Sequence, residues 1–83
     1  MHEIGIAASV LDVVRAEVAM RPGTRAMVVG LRIGELAGVD PESLRFGFEA
    51  LVKDSDLDPL QLQVDYLAGR EDLDVAWIEL EEP

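Results

Sequence analysis

Apolar residues recur at intervals of three and four along the first part of the chain, the spacing that places side chains on one face of a helix. This spacing predicts a first helix over residues 4–20. Pro22 and Gly23 end it, because proline cannot continue the hydrogen-bond ladder and glycine readily takes a turn. The predicted buried stripe consists of Ile4, Ala7, Ala8, Leu11, Val14 and Val18.

Alternating apolar positions predict three strands, over residues 24–33, 60–66 and 73–80. The third strand is rich in apolar residues on both faces, and its Trp77 and Ile78 leave two interpretations open. They either mark an exposed interaction edge or belong to the core, and the core is the commoner place for an aromatic residue of a strand. In the first strand the predicted buried residues are Met27, Val29, Leu31 and Ile33.

A second helix is predicted over residues 41–52, after a turn bracketed by Gly34 and Gly38. Asp40 supplies a helix cap and Pro41 suits the first helical position. The predicted buried stripe is Leu44, Phe48, Leu51 and Val52.

The order helix, strand, helix, strand, strand predicts an α+β fold in which two helices pack on a mixed three-stranded sheet. A strand, a helix and a further strand favour a parallel crossover, whereas the short connection over residues 68–72 favours antiparallel pairing of the last strand. With 83 residues, we expect a single domain with one small core.

Charge and composition exclude several functions. The net charge of −10 repels nucleic acid and anionic membranes, so we expect neither as a partner. No apolar run approaches the ~20 residues of a membrane helix and no secretion leader is recognisable, so a cytoplasmic protein is expected. The chain has no cysteine, which excludes disulfides and Cys-ligated metals. No serine has a histidine nearby in sequence, and we expect no enzyme activity.

The chain begins Met1-His2-Glu3 and contains one histidine. The terminal amine, the imidazole of His2 and the backbone nitrogens of His2 and Glu3 can surround one ion in a plane, which suits Ni(II) or Cu(II) better than tetrahedral Zn(II). A histidine at position 2 is also typical of a solvated chain end without any metal role. The residues alone leave both interpretations open.

These three residues, followed by a helix, together with two further segments resemble the HypA/HybF hydrogenase maturation factors. The segments are VGLRIGELAGV at 29–39 and PESLRFGFE at 41–49. The resemblance covers about the first 66 residues and the last strand, and implies a nickel metallochaperone for [NiFe]-hydrogenase. It implies Ni(II) ligation by the amine of Met1, the imidazole and amide of His2 and the amide of Glu3. The implied partners are the maturation GTPase and the hydrogenase large subunit.

The chain departs from this family between its last two strands. Family members carry there a zinc domain with two Cys-x-x-Cys pairs, whereas residues 68–72 form a short connection here. We therefore expect a single nickel-binding-type domain over residues 1–83, with no zinc. Whether this is a natural short relative or the product of a deletion stays open, as does a homodimer through an exposed sheet edge. The alternative function is a metal-independent protein-interaction or regulatory module.

Overall fold

The computed structural model describes residues 2–82 and confirms the α+β fold. None of its helices is long and apolar enough to cross a membrane. The elements are α1 (Glu3–Ala19), β1 (Arg25–Gly34), a 3₁₀ turn (Glu35–Ala37), α2 (Pro41–Val52), β2 (Gln61–Leu67) and β3 (Leu73–Glu81).

The sheet has the strand order β2-β1-β3, with β1 parallel to β2 and antiparallel to β3. The antiparallel pairing of the last strand is confirmed, but its partner is β1 rather than β2, the strand before it in sequence. The connection between β2 and β3 crosses the end of β1, where Gly34 N donates to Asp72 O at 2.7 Å and Leu36 N to Arg70 O at 2.8 Å. The most buried strand thereby gains a neighbour on each side.

Both helices cover one face of the sheet, and α1 packs mainly against α2. In α1, Val10 is buried, while the predicted core residues Ile4 and Ala8 are exposed. The first turn of α1 approaches α2 at Gly47, so Ile4 contacts α2 although its side chain is 59% exposed. A Cβ at Gly47 would lie 3.4 Å from the Cα of Ile4. The core comprises Ala7, Val10, Leu11, Val14, Ala26, Val29, Leu31, Ile33, Leu44, Phe48, Val52, Leu57, Leu60 and Leu62.

Two register shifts in the pairing of β1 with β3, the second of them between Gly30 and Leu31, affect which side chains face the helices. The register shifts between Ala26 and Val28, so Ala26 is buried and the predicted core residue Met27 is only half-buried. Trp77 pairs with Gly30, and a Cβ at Gly30 would overlap the indole ring. The indole therefore lies on the sheet face away from the helices and is 38% exposed. The core interpretation of Trp77 was wrong.

Candidate metal centre

His2 immediately precedes α1 and stands outside its helical conformation. Its backbone is extended, with φ −89° and ψ 93°, and its side chain makes no capping hydrogen bond. Its carbonyl accepts the first helical hydrogen bond, from Ile6 N at 3.1 Å. The imidazole is exposed, so a metal ion can reach it without any rearrangement of the helix. Met1, whose amine is also a predicted ligand, lies outside the described residues.

The backbone amides of the predicted site belong to the helix start. The first N–H groups of an α-helix have no carbonyl acceptor within the helix, and here the first helical donor is Ile6 N. The amides of His2 and Glu3 precede it in sequence. A metal that displaces the protons of these two amides would therefore break no backbone–backbone hydrogen bond of α1, although the N–H of Glu3 also interacts with its own carboxylate.

Glu3 connects the start of α1 to the start of α2. Its Oε2 accepts a hydrogen bond from Asp40 N at 3.1 Å. This bond is the main reason that the pKa of Glu3 lies below its ordinary value of 4.5, and its own N–H lowers the pKa further. The Glu3 carboxylate thus has a structural partner 37 positions away, which local sequence patterns do not reveal.

Asp40 has a second role at the same place, because its side chain caps α2. Its Oδ1 accepts from Glu42 N at 3.1 Å, and Ser43 Oγ donates to Oδ2 at 3.1 Å. The sequence predicted this cap but not its contact with Glu3. The N-termini of two helices therefore meet beside His2. Their positive dipole ends disfavour a cation, and the carboxylates of Glu3, Asp40 and Glu42 offset that field.

Side chains alone do not form a metal cage in residues 2–82, where no group of three or more His, Cys, Asp or Glu is placed to hold an ion. The predicted donor set is of another kind, since three of its four nitrogens belong to the main chain. Of this donor set, the structure describes an exposed imidazole and two backbone amides that precede the first hydrogen-bond donor of α1. Imidazole and amide nitrogens are donors of the type that Ni(II) and Cu(II) prefer in planar sites.

Comparison with known proteins identifies the family. The family model described as hydrogenase/urease nickel incorporation, metallochaperone, hypA matches residues 1–72. The chain belongs to the HypA family. The function of this family is nickel incorporation, which agrees with the resemblance seen in the sequence.

Curated relatives support the assignment. A hydrogenase maturation factor HypA of Pelodictyon phaeoclathratiforme is 44% identical over 55 residues, which are 66% of this chain and 47% of the relative. The HypA of Chlorobium luteolum is 41% identical over 70 residues, 84% of this chain and 60% of the relative. That of Azotobacter vinelandii is 36% identical over 70 residues, 84% of this chain and 62% of the relative. The matches thus cover about half to three-fifths of these relatives.

Proposed function

We propose that this chain is a nickel metallochaperone domain that binds Ni(II) as cargo at its N-terminus for the maturation of [NiFe]-hydrogenase. The ligands are the amine of Met1, the amide and imidazole of His2 and the amide of Glu3. Membership of a nickel-incorporation family carries the proposal. The imidazole of His2 supports it, because it is exposed at the start of α1 and makes no capping hydrogen bond.

The proposed site is built for transfer rather than storage. Its ligands come from consecutive residues at one chain end, so a receiving protein can approach the ion from the open side. The backbone amides must lose their protons to bind nickel, and binding therefore releases protons and weakens as the pH falls. Acidification is accordingly expected to release the cargo.

Glu3 acts in this proposal as a positioning residue through its side chain. The hydrogen bond from Asp40 N holds its carboxylate and thereby fixes where the helix starts and where the amides point. The alternative hypothesis is that the carboxylate orients the imidazole of His2. If Glu3→Gln leaves nickel affinity and the nickel spectrum unchanged, neither role of the carboxylate is supported.

The rest of the assignment follows from the family and the sequence. We propose one nickel-binding-type domain without the zinc module, because the chain has no cysteine and only a short connection over residues 68–72. The proposed partners are a maturation GTPase and the hydrogenase large subunit, in the cytoplasm. No catalytic role is included. The competing proposal, a metal-independent interaction module, predicts the same fold without nickel binding.

Nickel titration of the untagged protein, followed by absorbance and by proton release, tests the proposal. We expect one Ni(II) per chain with the spectrum of a planar nitrogen site and with release of protons. The informative variants are His2→Ala and a chain extended by one glycine ahead of Met1. The matched control is Glu49→Gln, which neutralises an exposed carboxylate later in α2, outside the proposed ligand set and away from the helix start.

The variants separate the outcomes. Both His2→Ala and the extended chain should lose the planar spectrum, while Glu49→Gln keeps it. Unchanged nickel uptake by the extended chain would contradict the role of the Met1 amine. Absence of nickel binding by the untagged chain would favour the metal-independent module.

A further inference from the structure

β3 forms one edge of the sheet, and its outer side faces a groove. The sheet order is β2-β1-β3, so the outer backbone groups of β3 have no strand beside them in the described chain. Along this edge α1 and β3 enclose two clefts of about 520 and 410 Å³, both lined by Val13 and Val75. The two clefts therefore form one continuous groove, which we call the α1–β3 groove.

The α1–β3 groove is mainly apolar in the cleft next to His2, and it is mixed in the other cleft, which Glu17 and Arg21 also line. Ile6, Val10 and Val13 form the wall contributed by α1, and Val75, Ile78 and Leu80 form the wall contributed by β3. Val13, which lines both clefts, is 44% exposed. His2 lies at one end of the groove and the Arg21–Glu17 ion pair at the other.

The opposite face of β3 is acidic around one aromatic ring. Register pairing places Asp74, Trp77, Glu79 and Glu81 on the sheet face away from the helices. Asp74 and Glu81 pair with Arg32 and Arg25, at 2.6 and 3.3 Å. Glu79 is exposed and has no ion pair in residues 2–82. An added strand would therefore meet apolar side chains on one face and excess negative charge on the other.

We propose that β3 accepts an extended segment of a basic partner protein as a fourth strand. Strand addition of this kind takes its affinity from main-chain hydrogen bonds and its specificity from the alternating side chains. Every second side chain of the segment is apolar and fills the α1–β3 groove. The intervening side chains are lysine or arginine, beside Glu79 and the indole of Trp77.

A second copy of the chain does not suit this edge. Each chain carries a net charge of −10, so two copies repel one another. Pairing of β3 with another β3 would also bring acidic residues of the same sheet face opposite each other, which is unfavourable. Charge complementarity therefore selects a basic segment as the occupant.

A peptide of about eight residues, with alternating valine and lysine and blocked termini, spans ~27 Å and matches most of β3 in length. Its binding to the full metal-free chain is followed by NMR and by amide hydrogen exchange. We expect saturable binding in which exchange slows at amides of β3 and hardly changes at β2. The control peptide has the same composition with valines and lysines in two blocks. Because no metal is present, the result is independent of the nickel proposal.

Protein variants test the groove itself. Val13→Gln should raise the dissociation constant of the alternating peptide about fivefold to tenfold, since apolar burial is lost. The matched control, Phe46→Gln, changes a helical side chain that is 75% exposed and lies outside the groove, and should bind as the unmodified chain does. Equal affinity for both peptides, unchanged exchange in β3, or no effect of Val13→Gln would overturn the proposal. If, without peptide, the hydrogen-exchange protection of β3 rises with protein concentration, the edge binds a second copy of the chain, and the proposal is overturned as well.

Discussion

The two edges of the sheet differ in how the helices cover them. At the β2 edge, Phe48 of α2 is buried to 1% exposure, and Arg45 Nη1 donates to the backbone carbonyl of Leu62 at 3.2 Å. At the β3 edge, α1 leaves an apolar groove and Val13 remains half-exposed. Edge strands are generally protected by charged side chains or by covering elements. The β2 edge also has a cleft beside Arg45, Phe48 and Leu62, of about 260 Å³, which is smaller than the two clefts beside β3. The contrast is one of degree, and β3 is the more open edge.

The polar contacts of α1 follow the same division. Glu3 accepts from Asp40 N beside α2, and Arg15 makes a bidentate pair with Asp56, with Nη2 to Oδ1 at 2.8 Å and Nε to Oδ2 at 3.0 Å. In residues 2–82, no side-chain hydrogen bond or ion pair joins α1 to β3. These polar contacts therefore attach α1 to the start of α2 and to the segment after α2. A partner segment can bind beside β3 without breaking a side-chain hydrogen bond or ion pair between α1 and β3.

The largest expected effect sharpens the difference in packing. Phe48→Ala at the β2 edge should lower the free energy of unfolding by about 3–5 kcal/mol, because it removes a buried aromatic ring from the core. Val13→Ala, in the α1–β3 groove, truncates a side chain that is 44% exposed. It should lower the free energy of unfolding by less than about 1 kcal/mol. Urea denaturation of the two variants measures both. Equal losses would show that the two edges are packed alike and would remove the contrast.

A second substitution tests the open face of the sheet. Gly30→Ala places a Cβ where the Trp77 indole lies, so the ring must move and the protein should lose about 1–3 kcal/mol of stability. The tryptophan fluorescence should shift to the red as the ring enters water. In a Trp77→Ala background the same change should cost little, because the clash is gone. A full cost in that background would mean that the strain lies in the backbone.

The smallest expected effect concerns the polar attachments of α1 and their dependence on pH. The bond from Asp40 N lowers the pKa of Glu3, and the guanidinium of Arg15 lowers the pKa of Asp56. A carboxylate whose pKa is lowered by folding stabilises the protein at pH values above its ordinary pKa, here 4.5 for Glu3 and 3.8 for Asp56. The protein loses this stabilisation as the pH falls through the pKa of the folded state. The effect is small because exposed pairs are screened by water.

The melting temperature of the metal-free chain should therefore fall as the solution is acidified from neutral to about pH 3. Asp56→Asn should melt lower at neutral pH and lose less on acidification. An identical pH profile for this variant and the unmodified chain would show that the Arg15 pair does not hold α1.

Local patterns sufficed where each element's own sequence decides the outcome. The bounds of α2 were predicted without error, because Asp40, Pro41 and the spacing of apolar residues all act within a few positions. Predictions failed where a residue's environment comes from a distant segment. The core was the favoured of two interpretations of Trp77, since no local signal shows that Gly30 leaves room for an indole on the outer face. The contact between Glu3 and Asp40 escaped prediction for the same reason.

The sequence alone determined the element order, the absence of cysteine chemistry, the acidic charge and the family, because each depends on residue identity and short-range spacing. The tertiary structure decided the strand order β2-β1-β3, the meeting of two helix N-termini beside His2 and the open edge at β3. These features arise from packing between segments far apart in the chain. Such packing depends on the fit of three-dimensional surfaces, which the periodicity of a single segment does not encode.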